Sequence, residues 1–278
     1  MPDHFRVRCI DCGHHTPFDP MELKCPSCGS LWREASYNLE QAADALRRLD
    51  QSTDFDLWRY KALLPIHNVG LAPKIGEGGT PLLHAENLGM MLGLKNLFIK
   101  DERQGPTASF KDRQAALTVS VLREAGLTEV VVASTGNVAI AYSAFCARAG
   151  IKLWAFLTSL VPAEKMHEVA IYGTQVVKVT STYDQAKMLA AEFAADRNLY
   201  LDRGTRSIAA VESMKTMALE IAEQLASLIG PEPDRTSENV IWRNPDWYLQ
   251  AVSGAIGPVG VHKGFIELRA MGLVDRIP

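Results

Sequence analysis

The residue with the clearest chemical potential is Lys111, in the stretch Gly105-Pro106-Thr107-Ala108-Ser109-Phe110-Lys111-Asp112-Arg113. Gly105 and Pro106 mark a loop, Ser109 is of the type that caps helices, and an apolar helical run follows through Gln114-Ala115-Ala116-Leu117 to Leu122. Lys111 is then expected in the first helical turn, where the positive end of the helix dipole lowers the pKa of an ammonium. Only a neutral amine attacks a carbonyl, so a lysine so placed suits nucleophilic catalysis. Taken alone, the nonapeptide is explained more simply by a surface lysine near a helix start.

The second constellation is four cysteines in two knuckles, Cys9-Ile10-Asp11-Cys12-Gly13 and Cys25-Pro26-Ser27-Cys28-Gly29. Each Cys-x-x-Cys pair can turn two thiolates toward one point, and the glycine after it accepts the left-handed backbone that such a knuckle needs. Together they supply the four soft ligands of a closed tetrahedral zinc site. The segment is too short to build a core, so the metal would provide its folding energy. Residues 1–35 therefore read as a structural zinc ribbon, with iron or unpaired thiols as the alternatives. The fifth cysteine, Cys146, lies in an apolar stretch and reads as a buried, inert thiol.

The elements that must position these groups alternate. Leu39 to Leu49 has helical spacing. Short strands are expected at 97–100, 129–134, 152–157, 175–180, 199–202 and 247–252, with helices at 137–149, from Pro162, at 183–196, at 209–228 and at 259–271. Strand–helix alternation builds a parallel sheet with helices on its faces, and ligands then sit beyond the carboxyl ends of the strands. Two strand-to-helix turns have the right composition for an anion. Ser134-Thr135-Gly136-Asn137 offers hydroxyls and backbone N–H groups to a carboxylate, although the same residues serve as plain helix caps. Ser253-Gly254-Ala255-Ile256-Gly257-Pro258 is small enough for backbone N–H groups to approach a phosphate, or is simply a tight turn.

In order along the chain, these motifs resemble those of the fold-type-II pyridoxal-phosphate (PLP) enzymes, and most of all the threonine synthases. Gly76-Glu77-Gly78-Gly79-Thr80-Pro81-Leu82 is similar to the family's Gly-Glu-Gly-x-Thr-Pro-Leu, and Lys100 and Glu102 also match. Ser109 to Arg113 matches the lysine motif, where Gly105 and Ala108 replace the usual Asn and Gly. Ser134 to Asn137 resembles the Ser-x-Gly-Asn loop, and Glu212-Ser213-Met214-Lys215-Thr216 the Glu-Gly-x-Lys-Thr segment. The resemblance implies a tryptophan-synthase-β-like α/β fold over 36–278 behind the ribbon, with a smaller subdomain at approximately 112–205 inserted in a larger one. It implies that Lys111 holds PLP, that Phe110, Asn137, Ser253, Gly254, Ala255, Ile256 and Gly257 contact it, and that Ser134, Thr135 and Gly136 hold the substrate carboxylate. The implied reaction converts O-phospho-L-homoserine and water to L-threonine and phosphate, in a cytoplasmic homodimer. Family members continue beyond the phosphate loop, so the C-terminal part of the larger domain is expected to be missing here. With it goes the Ser or Thr that meets the pyridine nitrogen.

Two departures bear on the substrate. Many relatives carry an Arg two residues before the Glu of Glu-Gly-x-Lys-Thr, and this chain has Ala210, with Arg203 and Arg206 nearby. Ala255 stands in a loop that is usually richer in glycine. The first favours another PLP reaction on the same fold, threonine or serine dehydration or a cysteate-synthase-like β-replacement. The second suits a non-catalytic interaction protein on a decayed enzyme scaffold. Composition excludes other classes. A net charge of -3 gives no reason to expect nucleic acid or an anionic membrane, and no apolar run has the length of a membrane span.

Overall fold

The computed structural model describes residues 4–49, 55–134, 136–159, 161–231 and 240–278. Thr135 and most of the loop expected at 230–237 lie outside them.

The N-terminal module is a three-stranded antiparallel sheet of β1 (Phe5–Cys9), β2 (His15–Thr16) and β3 (Arg33–Tyr37) in the order β2-β1-β3. Its third strand runs past the expected boundary at residue 35. The two knuckles are built alike. Gly13 N–H donates to the Cys9 carbonyl and Gly29 N–H to the Cys25 carbonyl, with both glycines left-handed at φ 73° and 75°. The module has almost no core of its own. Phe5, Val7 and Ala35 pack on Ile208 of the main body.

Helix α1 (Leu39–Arg47) is capped by Asn38, whose side chain accepts from Gln41 N–H. A short antiparallel pair follows, β4 (Leu82–His84) with β5 (Phe98–Lys100), joined through α2 (Glu86–Leu92). The main sheet is parallel throughout. It comprises β6 (Glu129–Ser134), β7 (Lys152–Thr158), β8 (Gln175–Val179) and β9 (Tyr200–Leu201) in the order β8-β7-β6-β9. Alternation along β6 decides the layers. Val130 and Val132 face a core shared with α3 (Lys111–Glu124) and α4 (Asn137–Ala149); Val131 faces Ala186, Ala190 and Ala194 of α6 (Tyr183–Asp196). On the first face, α5 (Ala163–Ile171) contributes Val169. Beyond α3, the long α7 (Ile208–Ile229) packs on α8 (Ile256–Ala270) and α1. Gly260 and Gly264 allow this close approach. A Cβ at Gly260 would lie 2.4 Å from Met214 Cβ, and one at Gly264 2.8 Å from Ala218 Cβ.

One expected element is absent. Residues 247–252 are not a strand and pair with nothing among the described residues, although Trp247 and Leu249 are 82% and 87% exposed. Strand composition without a neighbouring ladder leaves the backbone hydrogen-bonding groups unpaired, so the segment stays an irregular lead-in to α8.

Candidate active site

Lys111 is the first residue of α3, preceded by Phe110 in helical conformation. Ser109 does the capping expected of it from one position further out: its Oγ accepts from Lys111 N–H (3.2 Å), and its carbonyl accepts from Asp112 N–H (3.0 Å). The loop before it is tied to the helix by Asp112, which accepts from Thr107 N–H (2.9 Å) and from the Thr107 hydroxyl. Gly105 is needed for this, because a Cβ there would stand 2.6 Å from Asp112 Oδ2. Ala108 takes a left-handed conformation (φ 53°) where the family has Gly.

Arg113 turns the other way, into the interior, and is 1% exposed. It donates to Glu102, to both oxygens of Glu220 (2.5 and 2.8 Å), to Thr80 and to Thr216. Lys100 joins it on Glu220 (2.6 Å), and Gly79 N–H donates there too. This network is where the Gly-Gly-Thr-Pro, Ser-Phe-Lys-Asp-Arg and Lys-Thr motifs meet. Their shared role is to fix the start of α3. The adjacent motif residues Asp112 and Arg113 do not pair with each other, since neighbouring side chains on a helix point apart.

A second buried network binds the ribbon to the body. Lys215 pairs with Glu212 (2.6 Å) and Glu267 (2.8 Å), Lys263 with Glu212 (2.6 Å) and Glu34 (3.2 Å), and Tyr37 OH donates to Glu212.

The Lys111 side chain opens into a cleft of about 920 Å³ at the carboxyl ends of β6 and β9. Burial holds its pKa below the ordinary lysine value, opposed by the negative charge of Asp202. Its ammonium lies 4.3 Å from the Phe110 ring centroid. Asp202 is held in turn by Gln114 (2.5 Å), by Tyr142 OH (2.6 Å) and by Gly204 N–H (2.8 Å). Ser134, Gly136 and Asn137 line the same cleft. The Ser134 hydroxyl accepts from Gly136 N–H (3.1 Å) and Ala139 N–H (3.3 Å), which is the helix-cap role, and among the described residues its own proton is donated to none. Asn137 is exposed to the cleft and accepts from Lys165 (3.1 Å).

The opposite wall is the turn from Ser253 to Pro258 at the start of α8. Among the described residues no side-chain cap bond is made to this helix, and its first N–H groups belong to Ile256 and Gly257. A Cβ at Gly257 would fall 2.4 Å from the Gln250 side-chain amide, which would have to move aside. Ala255, at the N-cap, is left-handed (φ 57°), a conformation disfavoured by a Cβ. These residues fit PLP. An amine whose pKa burial lowers faces a helix N-terminus suited to a phosphate, and Lys165, Lys187, Arg203 and Arg206 surround them.

Gln114, Lys165, Tyr183, Lys187, Asp202 and Gln250 also line the cleft, and none is singled out by the sequence motifs. Gln114 lies three residues after Lys111, hence on its face of α3, and Asp202 ends an expected strand, so both had a positional signal. Ala210 sits fully buried in the α7–α8 core and is not part of the cleft lining. Arg203 and Arg206 do line it, and Arg206 lies over Trp32 of the ribbon (5.5 Å).

In the ribbon, the Sγ atoms of Cys9, Cys12, Cys25 and Cys28 all lie within 4.8 Å of one another, with Cys9–Cys28 and Cys12–Cys25 at 3.6 Å. Metal–sulfur bonds of about 2.3 Å in a tetrahedron give sulfur–sulfur edges of about 3.8 Å, so a soft cation fits. Neither His14 nor His15 belongs to the cluster. The remaining cysteine, Cys146, is buried, and burial pushes its thiol well up.

Comparison with known proteins agrees with this geometry. Residues 74–274 match the family model described as "Pyridoxal-phosphate dependent enzyme". The threonine synthase of Methanocaldococcus jannaschii is 32% identical over 98% of this chain, and that of Methanosarcina acetivorans 28% identical over 99%. The chain spans 63% of the length of each of these relatives. Among solved structures, a processed threonine deaminase isoform from Solanum lycopersicum superposes with a TM-score of 0.54 at 24% identity, over 69% of this chain and 48% of that one. That similarity extends to the fold alone. With its lysine, helix N-terminus and parallel sheet arranged around one cleft, the chain belongs to the pyridoxal-phosphate dependent enzyme family.

Proposed function

We propose that this chain carries the chemistry of a threonine synthase, converting O-phospho-L-homoserine and water to L-threonine and phosphate. The observation that carries the reading is the convergence of Lys111, Asn137 and the 253–257 turn on one cleft, in a chain that two threonine synthases match over nearly its full length. Bound PLP supplies an electron sink for the charge left at the substrate Cα. Lys111 holds the cofactor, and its burial favours the neutral amine that takes and returns protons at Cα and Cβ. Phe110 packs beside it. Asn137 donates to the cofactor ring. Ser253, Gly254, Ala255, Ile256 and Gly257 cradle the cofactor phosphate at the start of α8. Ser134 and Gly136, with Thr135 between them, receive the substrate carboxylate. Arg203 and Arg206 at the mouth offer guanidinium groups to the substrate phosphate. On this reading the part at approximately 112–205 is the smaller of two lobes, and the enzyme is a cytoplasmic homodimer.

The test is a substrate panel with the purified chain and PLP. O-phosphohomoserine is expected to release phosphate and form threonine with kcat/KM at least roughly a hundredfold above phosphoserine, serine or threonine. Dehydration of threonine or serine as the main reaction would instead assign the alternative chemistry.

The four N-terminal thiols are read as ligands of one structural zinc ion. Without a cation, Cys9 and Cys28 are driven in opposite directions. The Cys12 N–H draws Cys9 down to about 6, while Cys28 goes up to about 12, the pull of the Ser30 N–H being outweighed by the Cys12 thiol, burial and the Cys9 and Cys25 thiols. Elemental analysis is expected to find one zinc per chain. Cys12→Ser is expected to lose the metal and the order of the ribbon, while the catalytic body stays folded. Iron in its place, or no metal in a well-ordered ribbon, would contradict the assignment.

A further inference from the structure

Lys165 lies near the start of α5, far in sequence from the cofactor lysine, yet it lines the same cleft. Its Nζ stands 3.1 Å from Asn137 Oδ1. Among the described residues it has no carboxylate partner, unlike Lys187, which pairs with Asp184 at 2.6 Å. An ammonium has only donors, so its partner on a primary amide must be the oxygen. This settles the orientation of Asn137: Oδ1 faces Lys165, and the two Nδ2 protons remain for another acceptor. The lysine passes close over Gly136. A Cβ at that position would lie 3.0 Å from Lys165 Nζ and 3.4 Å from its Cδ. The glycine of the Ser-x-Gly-Asn turn is thus in close contact with the lysine that reaches the amide.

We propose that Lys165 is a positioning residue for the cofactor: it locks Asn137 with Nδ2 directed at the phenolic oxygen of PLP and polarises that amide through a charge-assisted hydrogen bond. The inference rests on the reading of Lys111 as the cofactor lysine and Asn137 as the partner of the ring. Two effects follow. An amide held in one orientation presents its donor without first losing rotamer freedom, so cofactor binds more tightly. A cation one residue behind the donor also favours the ionised phenolic oxygen over the neutral one. A lysine serving only to hold α5 against α4 would affect neither.

The measurement is PLP titration of the chain, followed by absorbance, for wild type, Lys165→Met and Lys165→Arg. Lys165 is half-exposed, so the folded state is expected to survive in both variants, and thermal unfolding checks this. In Lys165→Met, PLP affinity is expected to fall roughly fivefold. The long-wavelength band of the charged cofactor form should lose intensity to the shorter-wavelength band of the neutral form, with their ratio falling roughly tenfold. Lys165→Arg, which keeps charge and donors, should restore both. If Lys165→Met binds PLP with wild-type affinity and spectrum, the role of Lys165 is overturned while the PLP site stands. If wild type itself traps no cofactor on borohydride reduction, the reading beneath the inference fails, and the two failures are distinguishable.

Discussion

Replacing Lys111 by alanine should abolish covalent retention of PLP and lower turnover by at least a thousandfold, a loss at the upper part of the range for a group that moves protons in the reaction. The size of the effect follows from geometry. Lys111 is one of few amines in the cleft wall, and it alone sits at the start of a helix fixed on all sides by buried contacts. The others, Lys165 and Lys187, are each engaged, with the Asn137 amide and with Asp184. The pH dependence has a definite sign. Only neutral Lys111 can capture the aldehyde of PLP, so capture by the cofactor-free chain speeds up as pH rises through the lysine's own pKa. Burial places that pKa below the ordinary 10.5, and Asp202 opposes the shift. Asp202→Asn is therefore expected to move the capture profile to lower pH. Stopped-flow absorbance across pH measures it; an unmoved or upward-shifted profile would contradict the electrostatic account.

The second large effect is expected at Glu220, far from the reacting atoms. Its carboxylate is fully buried and accepts from Arg113, Lys100 and Gly79 N–H. Glu220→Ala leaves Arg113 with Glu102 as its one remaining carboxylate and Lys100 without an ion-pair partner, and breaking a buried ion network in this way costs about 3–5 kcal/mol. At roughly 2–4 °C per kcal/mol for a domain of this size, Tm should fall by about 10 °C. The same group sets an acid limit. Burial alone would raise its pKa, but Arg113 and Lys100 outweigh it and bring it from 4.5 to about 2. A depressed carboxylate pKa contributes stability that is complete above 4.5 and lost as pH falls toward 2. Wild-type stability should therefore decline through that window, and Glu220→Ala should show a shallower decline. Arg113→Met combined with Glu220→Met should cost less than the sum of the single changes, because neither of these two faces a vacated partner, although Lys100 and Glu102 lose theirs. Additive losses in thermal unfolding would argue against a network.

Much of this was legible in the chain because it depends on local spacing. The four cysteines meet because each knuckle is a closed turn with a left-handed glycine, and no long-range packing is needed to bring a pair together. The strand–helix alternation from 129 to 201 stands as a parallel sheet because alternating Val130–Val132 and the apolar helices can be buried only that way. What depends on distant partners was less legible. Trp247 to Val252 has strand composition but finds no neighbouring strand among the described residues. Asp112 and Arg113 are adjacent charges that invite pairing, yet each is claimed by a different partner, Thr107 in one case and Glu102 with Glu220 in the other. Ala210 is conspicuous in sequence as the missing arginine, but its place is in the core. Lys165 had no signal at all, since its contact with Asn137 joins two elements far apart in sequence.

The central claim is that Lys111 is the cofactor lysine, and the most direct measurement is borohydride reduction of the chain with PLP followed by peptide mass mapping. The account predicts one pyridoxyl group per chain, on the peptide containing Lys111. Modification centred on Lys165 or Lys187, or no stable modification, would contradict it.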